Sequence, residues 1–206
     1  MITMYKQFRI DKHGKLHPLF VFSTDEVAIG KWLEAKEGMR TDKGAVKSKL
    51  GPLAYRPGWH LSEAPYAPHI GIKEGGVIKY MHDDTVWAEV EVYDAVDYTL
   101  DAKQAGVKNG KFNPRDAYLK HIPKDGYYWY NTNPNAFGNW MIADRIRVKR
   151  VLTDAEVERI CWTRFSVHSQ PHRPTAERKG AYHDEDYCPR DQKHQDQQSA
   201  LSLRRP

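Results

Sequence analysis

Thr85-Val86-Trp87-Ala88-Glu89-Val90-Glu91-Val92-Tyr93 is the longest stretch of the chain with an unbroken two-residue period. Val86, Ala88, Val90 and Val92 fall on one side and Trp87, Glu89 and Glu91 on the other, which is how a β-strand with one face on a core reads. Other short strands stand around it. Tyr5 to Ile10 alternates and stops at a turn around 11–14, and Leu16 to Phe22 is its expected hairpin partner. Tyr127-Tyr128-Trp129-Tyr130 follows Gly126 as an aromatic strand, and 139–152 reads as one or two strands with a turn near Asp144. Helical signals are few. Thr24 to Glu37 carries helical elements at irregular spacing, interrupted by Gly30, and 97–121 is a long excursion with at most a short helix. Thr153-Asp154-Ala155-Glu156 is a capping box that opens a helix expected to reach about Cys161. Many strands, few helices and long loops predict an α+β fold on a mostly antiparallel or mixed sheet.

Composition bounds the rest. The 206 residues carry 32 Lys+Arg against 27 Asp+Glu, and 40% are hydrophobic, enough for one core and consistent with one folded unit. After Trp162 the aliphatic residues thin to Val167, Leu201 and Leu203 among Gln, His, Pro, Arg and Asp. Residues 1–162 are therefore expected to fold and 163–206 to be a disordered polar tail. Eight Lys/Arg and six Asp/Glu fall in that tail, so the positive excess is shared by both parts. No apolar run suits a membrane span or a signal peptide, and the sequence reads as soluble and cytoplasmic. Two cysteines cannot form a disulfide framework or a four-ligand zinc site. His60, His69 and His82 lack metal-ligand spacing, so no metal is expected, and no glycine-rich phosphate loop or Gly-x-Ser-x-Gly elbow is present.

The site-like composition lies in 53–71, where prolines, glycines, histidines and aromatics make a stiff loop that presents polar groups. Arg56, His60, Ser62 and Tyr66 would surround a ligand, Arg56 for an anion and His60 for proton transfer; the alternative is a proline-stiffened connection with a buried, satisfied His60. Glu89 and Glu91 share one strand face and could act as paired carboxylates if that face lines a cleft, or be solvated. The cluster of Tyr127, Tyr128, Trp129, Tyr130, Asn133, Asn135, Asn139 and Trp140 suits stacking on a base or nicotinamide, or equally a sheet core. Arg145, Arg147 and Lys149 form a candidate ridge for nucleic-acid phosphates or a protein partner.

Two resemblances follow from these motifs. The order of the Tyr5–Ile10 strand, Leu50-Gly51-Pro52-Leu53-Ala54-Tyr55-Arg56-Pro57-Gly58-Trp59-His60, Val86-Trp87-Ala88, Gly126-Tyr127-Tyr128 and Trp140-Met141-Ile142 resembles a protein family encoded by bacteriophages and mobile elements over most of 1–162. That resemblance implies an accessory role, through binding of nucleic acid or of a host protein complex such as a defence system. Gly58-Trp59-His60-Leu61-Ser62, Ala67, the strand after it and Asn139-Trp140-Met141-Ile142 are similar to the ADP-ribosyltransferase fold. This second likeness implies NAD or a nucleotide as cofactor, held by Arg9, Arg56, Ser62, Tyr66, Tyr128, Asn133 and Trp140. Where such enzymes place a catalytic glutamate, this chain has Asn139 or Trp140. His60, Glu89 and Glu91 are then the catalytic candidates.

Overall fold

The structure, a computed structural model, divides into Met1–Ser169 and Gln170–Pro206. It describes residues 1–48, 51–67, 72–74, 77–79, 84–131 and 138–168, with backbone alone at 72–74, 77–79 and 165–168. Asn133, Asn135, His69, His82 and all but the first six residues of the expected tail lie outside the described residues.

The expected sheet is there, and it is mixed. Its strands in chain order are β1 (Ile2–Ile10), β2 (Leu16–His17), β3 (Trp32–Glu34), β4 (Trp59–Ser62), β7 (Thr85–Val92), β8 (Val96–Asp97), β11 (Gly126–Tyr130), β12 (Trp140–Ala143) and β13 (Arg145–Val151); the short strand pairs Ile72–Glu74 with Val77–Lys79 (β5, β6) and Val107–Lys108 with Lys111–Phe112 (β9, β10) stand apart. The spatial order is β3-β13-β7-β1-β4-β12-β11-β8, with β2 on the end of β1. Pairs are antiparallel except β11 with β8. The period of β7 fixes its orientation: Ala88, Val90 and Val92 are fully buried and meet Met4, Phe8, Leu61, Met141, Ile146 and Val148 in the main core. A second, smaller core forms on the other face of β11 and β12, where Tyr128 and Ile142 pack against Ala102 of α1 (Thr99–Ala105) and Leu119.

Three readings of the sequence need correction. Residues 24–37 form no helix; Gly30 has φ +81°, Val27 bridges Leu16, Ile29 bridges Val148, and 32–34 become edge strand β3. β-branched residues beside a glycine in the left-handed region favour this extended path. The hairpin partner of β1 is two residues long, because Pro18 has no N–H to continue the ladder. Inside the supposed irregular loop 53–71, residues 59–62 are strand β4, paired along its length with β12. The capping box forms as expected, Glu156 accepting from the Thr153 N–H at 2.9 Å and donating its own N–H to Thr153 Oγ1 at 3.3 Å. Helix α2 (Asp154–His168) continues seven residues past Cys161.

Candidate functional site

The feature that makes a site is a split in the sheet. β1 and β4 share one register pair, Tyr5 with Ser62, and then part. Into the gap reaches Lys6, whose Nζ donates to the backbone oxygen of His60 at 3.0 Å, the bond that a continued ladder would have supplied. Lys6 sits at a core-facing register, opposite Ala88 and between Met4 and Phe8. Its ammonium lies 5.5 Å from the centre of the Phe8 ring and 5.4 Å from that of Trp59. What surface Lys6 retains faces a cavity, yet the ammonium is at interior depth, and desolvation pushes its pKa from 10.5 down to about 8.

That cavity, about 910 Å³, is bounded by the split and by segments 18–22, 25–27, 32–36 and 53–57. Lys6 and Trp59 line it from the main-core face of the sheet, and His60, Tyr130 and Trp140 from the other face at the split, with Arg56 also on the wall. Arg56 lies over the rings of Tyr118 and Tyr130, 5.0 and 5.8 Å from their centres. Asp25, Glu26 and Glu34 also line the cavity, and the first two are paired with Lys36 at 2.8 Å and Lys15 at 2.6 Å. The lining thus combines large aromatic faces with two cations on the sheet side, the composition that takes up a flat ring attached to an anion.

His60 is a positioning group in this arrangement. Its Nε2 lies 2.8 Å from the carbonyl oxygen of Arg56 and must carry the proton, so Nδ1 accepts from the Tyr130 hydroxyl at 3.0 Å. Both nitrogens are occupied, and proton transfer to a ligand would require breaking one of these bonds. Burial, with Lys6 and Arg56 nearby, pushes the His60 pKa down to about 4, and burial pushes that of Tyr130 up. Below an ordinary histidine pKa of 6.5 the unfolded chain takes up the proton that folded His60 refuses. Stability should therefore fall as pH drops from 6.5 towards 4, by about 3 kcal/mol in all. Urea titrations at pH 6.5 and 4.5 should show this slope in the wild type and a shallower one in His60→Gln; equal slopes would refute a neutral buried His60.

The remaining candidates are placed as follows. Trp140 lines the cavity. Tyr128 does not: it is fully buried in the second core, its hydroxyl accepting from the Leu119 N–H at 3.4 Å, so its expected stacking role is corrected to packing. Ser62 is 3% exposed and turned to the 64–66 backbone, accepting from the Ala64 N–H and donating to the Tyr66 carbonyl. Neither Ser62 nor Tyr66 is on the cavity wall. Arg9 donates to the Ser23 carbonyl at 2.8 Å and is likewise absent from that wall.

Glu89 and Glu91 are not a free carboxylate pair. Glu89 is paired with Arg150 at 3.0 Å, and Glu91 accepts from Arg147 Nε and Lys149, each at 2.8 Å, which hold its pKa below the usual carboxylate range. The same contacts engage the basic ridge. Arg147 and Lys149 share the single carboxylate of Glu91, and Arg145 is bonded to Asp125 and lies 3.7 Å from Asp144. Each of these three cations thus already has a carboxylate partner. Among the described residues no three His, Cys, Asp or Glu side chains gather as a metal site, and no helix is long and apolar enough to cross a membrane.

Lys6 is the residue that the sequence did not mark. Its signal was a lysine at a core-facing position of an alternating strand, flanked by Met4 and Phe8. Comparison of the chain with protein-family models, with curated proteins and with solved structures finds no match.

Proposed function

We propose that the protein is a binding domain for a nucleotide-class ligand, a flat ring joined to phosphate as in NAD or a simpler nucleotide, seated in the cavity at the strand split. In this reading the fold is ADP-ribosyltransferase-like and holds its ligand without transferring ADP-ribose. The observation that carries it is Lys6. A lysine ammonium at interior depth, with a carbonyl as its hydrogen-bond partner, is costly in the empty protein and is repaid when an anion enters. Trp59 supplies a ring surface beside it, and Tyr130 and Trp140 line the same cavity from the opposite face of the sheet. The acids that transfer chemistry would need, Glu89 and Glu91, are engaged by Arg150, Arg147 and Lys149.

Calorimetric titration with NAD and with AMP tests this. Saturable 1:1 binding is expected in the wild type, at least tenfold weaker in Lys6→Met, a loss of the size that removing one charge-assisted bond produces. Mass spectrometry of the same mixtures should find intact NAD. Absence of binding by both ligands would overturn the reading, and nicotinamide release would overturn its non-transferring part.

A further inference from the structure

A second cavity, of about 410 Å³, shares the Ala54-Tyr55 wall with the first. Arg40, Lys43 and Lys120 line it together with Gly44, Ala45, Tyr118 and that wall, and no carboxylate is among its lining residues. Local geometry holds Arg40 in place. Arg40 and Val46 pair across a tight turn in which the Gly44 N–H donates to the Thr41 carbonyl at 2.9 Å and the Ala45 N–H donates to Thr41 Oγ1 at 3.2 Å. The Arg40 guanidinium lies flat enough on Tyr55 to sit 3.8 Å from the ring centre, and it reaches the Lys120 carbonyl at 3.5 Å. Tyr55 is itself buried and donates to Glu37 at 2.5 Å. Glu37 forms an ion pair with Arg40 at 3.9 Å without a hydrogen bond to it, so part of the Arg40 charge is offset while guanidinium N–H groups remain for a further acceptor.

We infer that this second cavity is an anion subsite, in which Arg40, Lys43 and Lys120 take a further phosphate of the ligand whose ring occupies the larger cavity, the ligand crossing over Ala54. The inference rests on the nucleotide reading and narrows it to ligands with more than one phosphate. The charge balance and position support it: three cations converge on one concavity, and the route between the two cavities passes an exposed alanine rather than a bulky side chain. Planar guanidinium and mobile ammonium groups together suit the oxygens of a terminal phosphate.

The experiment compares AMP with ADP by calorimetry on the full chain. Wild type should bind ADP at least tenfold more tightly than AMP. The double variant Arg40→Ala/Lys120→Ala should bind both with the affinity of wild type for AMP. Ala54→Trp, a substitution at an exposed position, should also abolish the preference for ADP. Equal affinities for AMP and ADP in the wild type would overturn the subsite and leave the larger cavity's role standing. A preference for ADP that survives in the double variant would also overturn it, because the discrimination would then lie elsewhere. Failure of both nucleotides to bind would remove the nucleotide reading and this inference with it.

Discussion

Replacing Gly58 by alanine is expected to destabilise the fold by about 3 kcal/mol and to abolish ligand binding in whatever protein remains folded. Gly58 has φ +129°, a backbone region that a side chain makes strained whatever the space around it. Here there is no space. A Cβ built on Gly58 would stand 2.3 Å from Ile142 Cγ2 and 3.1 Å from the Ala143 carbonyl oxygen. Ile142 is fully buried in the second core and Ala143 pairs with Trp59 across β4 and β12, so neither can retreat without disturbing the sheet. The strand that would move carries Trp59 and His60 into the cavity and holds the carbonyl that receives Lys6. Chemical denaturation of Gly58→Ala, beside Gly30→Ala as a comparison, checks this. Gly30 also has a positive φ, but its Cβ would meet nothing within 4 Å, so its cost is the backbone term alone. Equal losses in the two variants would show that the close approach to Ile142 contributes nothing.

Gly58 also shows what the sequence could and could not convey. The segment around it has an unusual composition that marks Arg56 and His60 as site residues, and the aromatic cluster of 127–140 marks Trp140; all three line the cavity. The period of β7 placed its face correctly, because alternation is a local property that burial on one side imposes directly. What local patterns do not contain is register between distant strands. Whether Glu91 faces a cleft or Arg147 depends on the pairing of β7 with β13, and both residues looked equally available for chemistry before that pairing was known. The same holds for the split. Nothing within residues 2–10 says that β4 will leave β1 after one pair, and only that departure turns Lys6 from a strand residue into a cavity wall. Arg40 and Lys43 lie on one turn, but Lys120 is distant in sequence and joins them only through the placing of the 117–121 segment.

The stability gained by replacing Lys6 should disappear as pH rises. With a folded pKa of about 8 against 10.5, the unfolded chain binds more protons between those values, so wild-type stability rises with pH through that window and carries the full penalty below pH 8. From pH 7 to 9.5 the recovered stability is about 2 kcal/mol of the roughly 3 kcal/mol that the whole shift represents. Lys6→Met removes the penalty but leaves the His60 carbonyl without its donor, at a cost of about 1–2 kcal/mol. The variant should therefore be more stable than wild type at pH 7 by about 1–2 kcal/mol and lose that advantage by pH 9.5. Tyrosines and surface lysines titrate alike in both proteins and cancel in the difference. Urea denaturation of the pair at the two pH values measures it, and a difference independent of pH would mean that Lys6 is solvated in the folded protein. The same linkage ties stability to function: an anion beside the ammonium favours the charged form, so ligand binding above pH 8 should draw a proton from buffer. Calorimetry at pH 8.5 in buffers of unlike ionisation enthalpy would register that uptake in the wild type, and its absence would place the ligand away from Lys6.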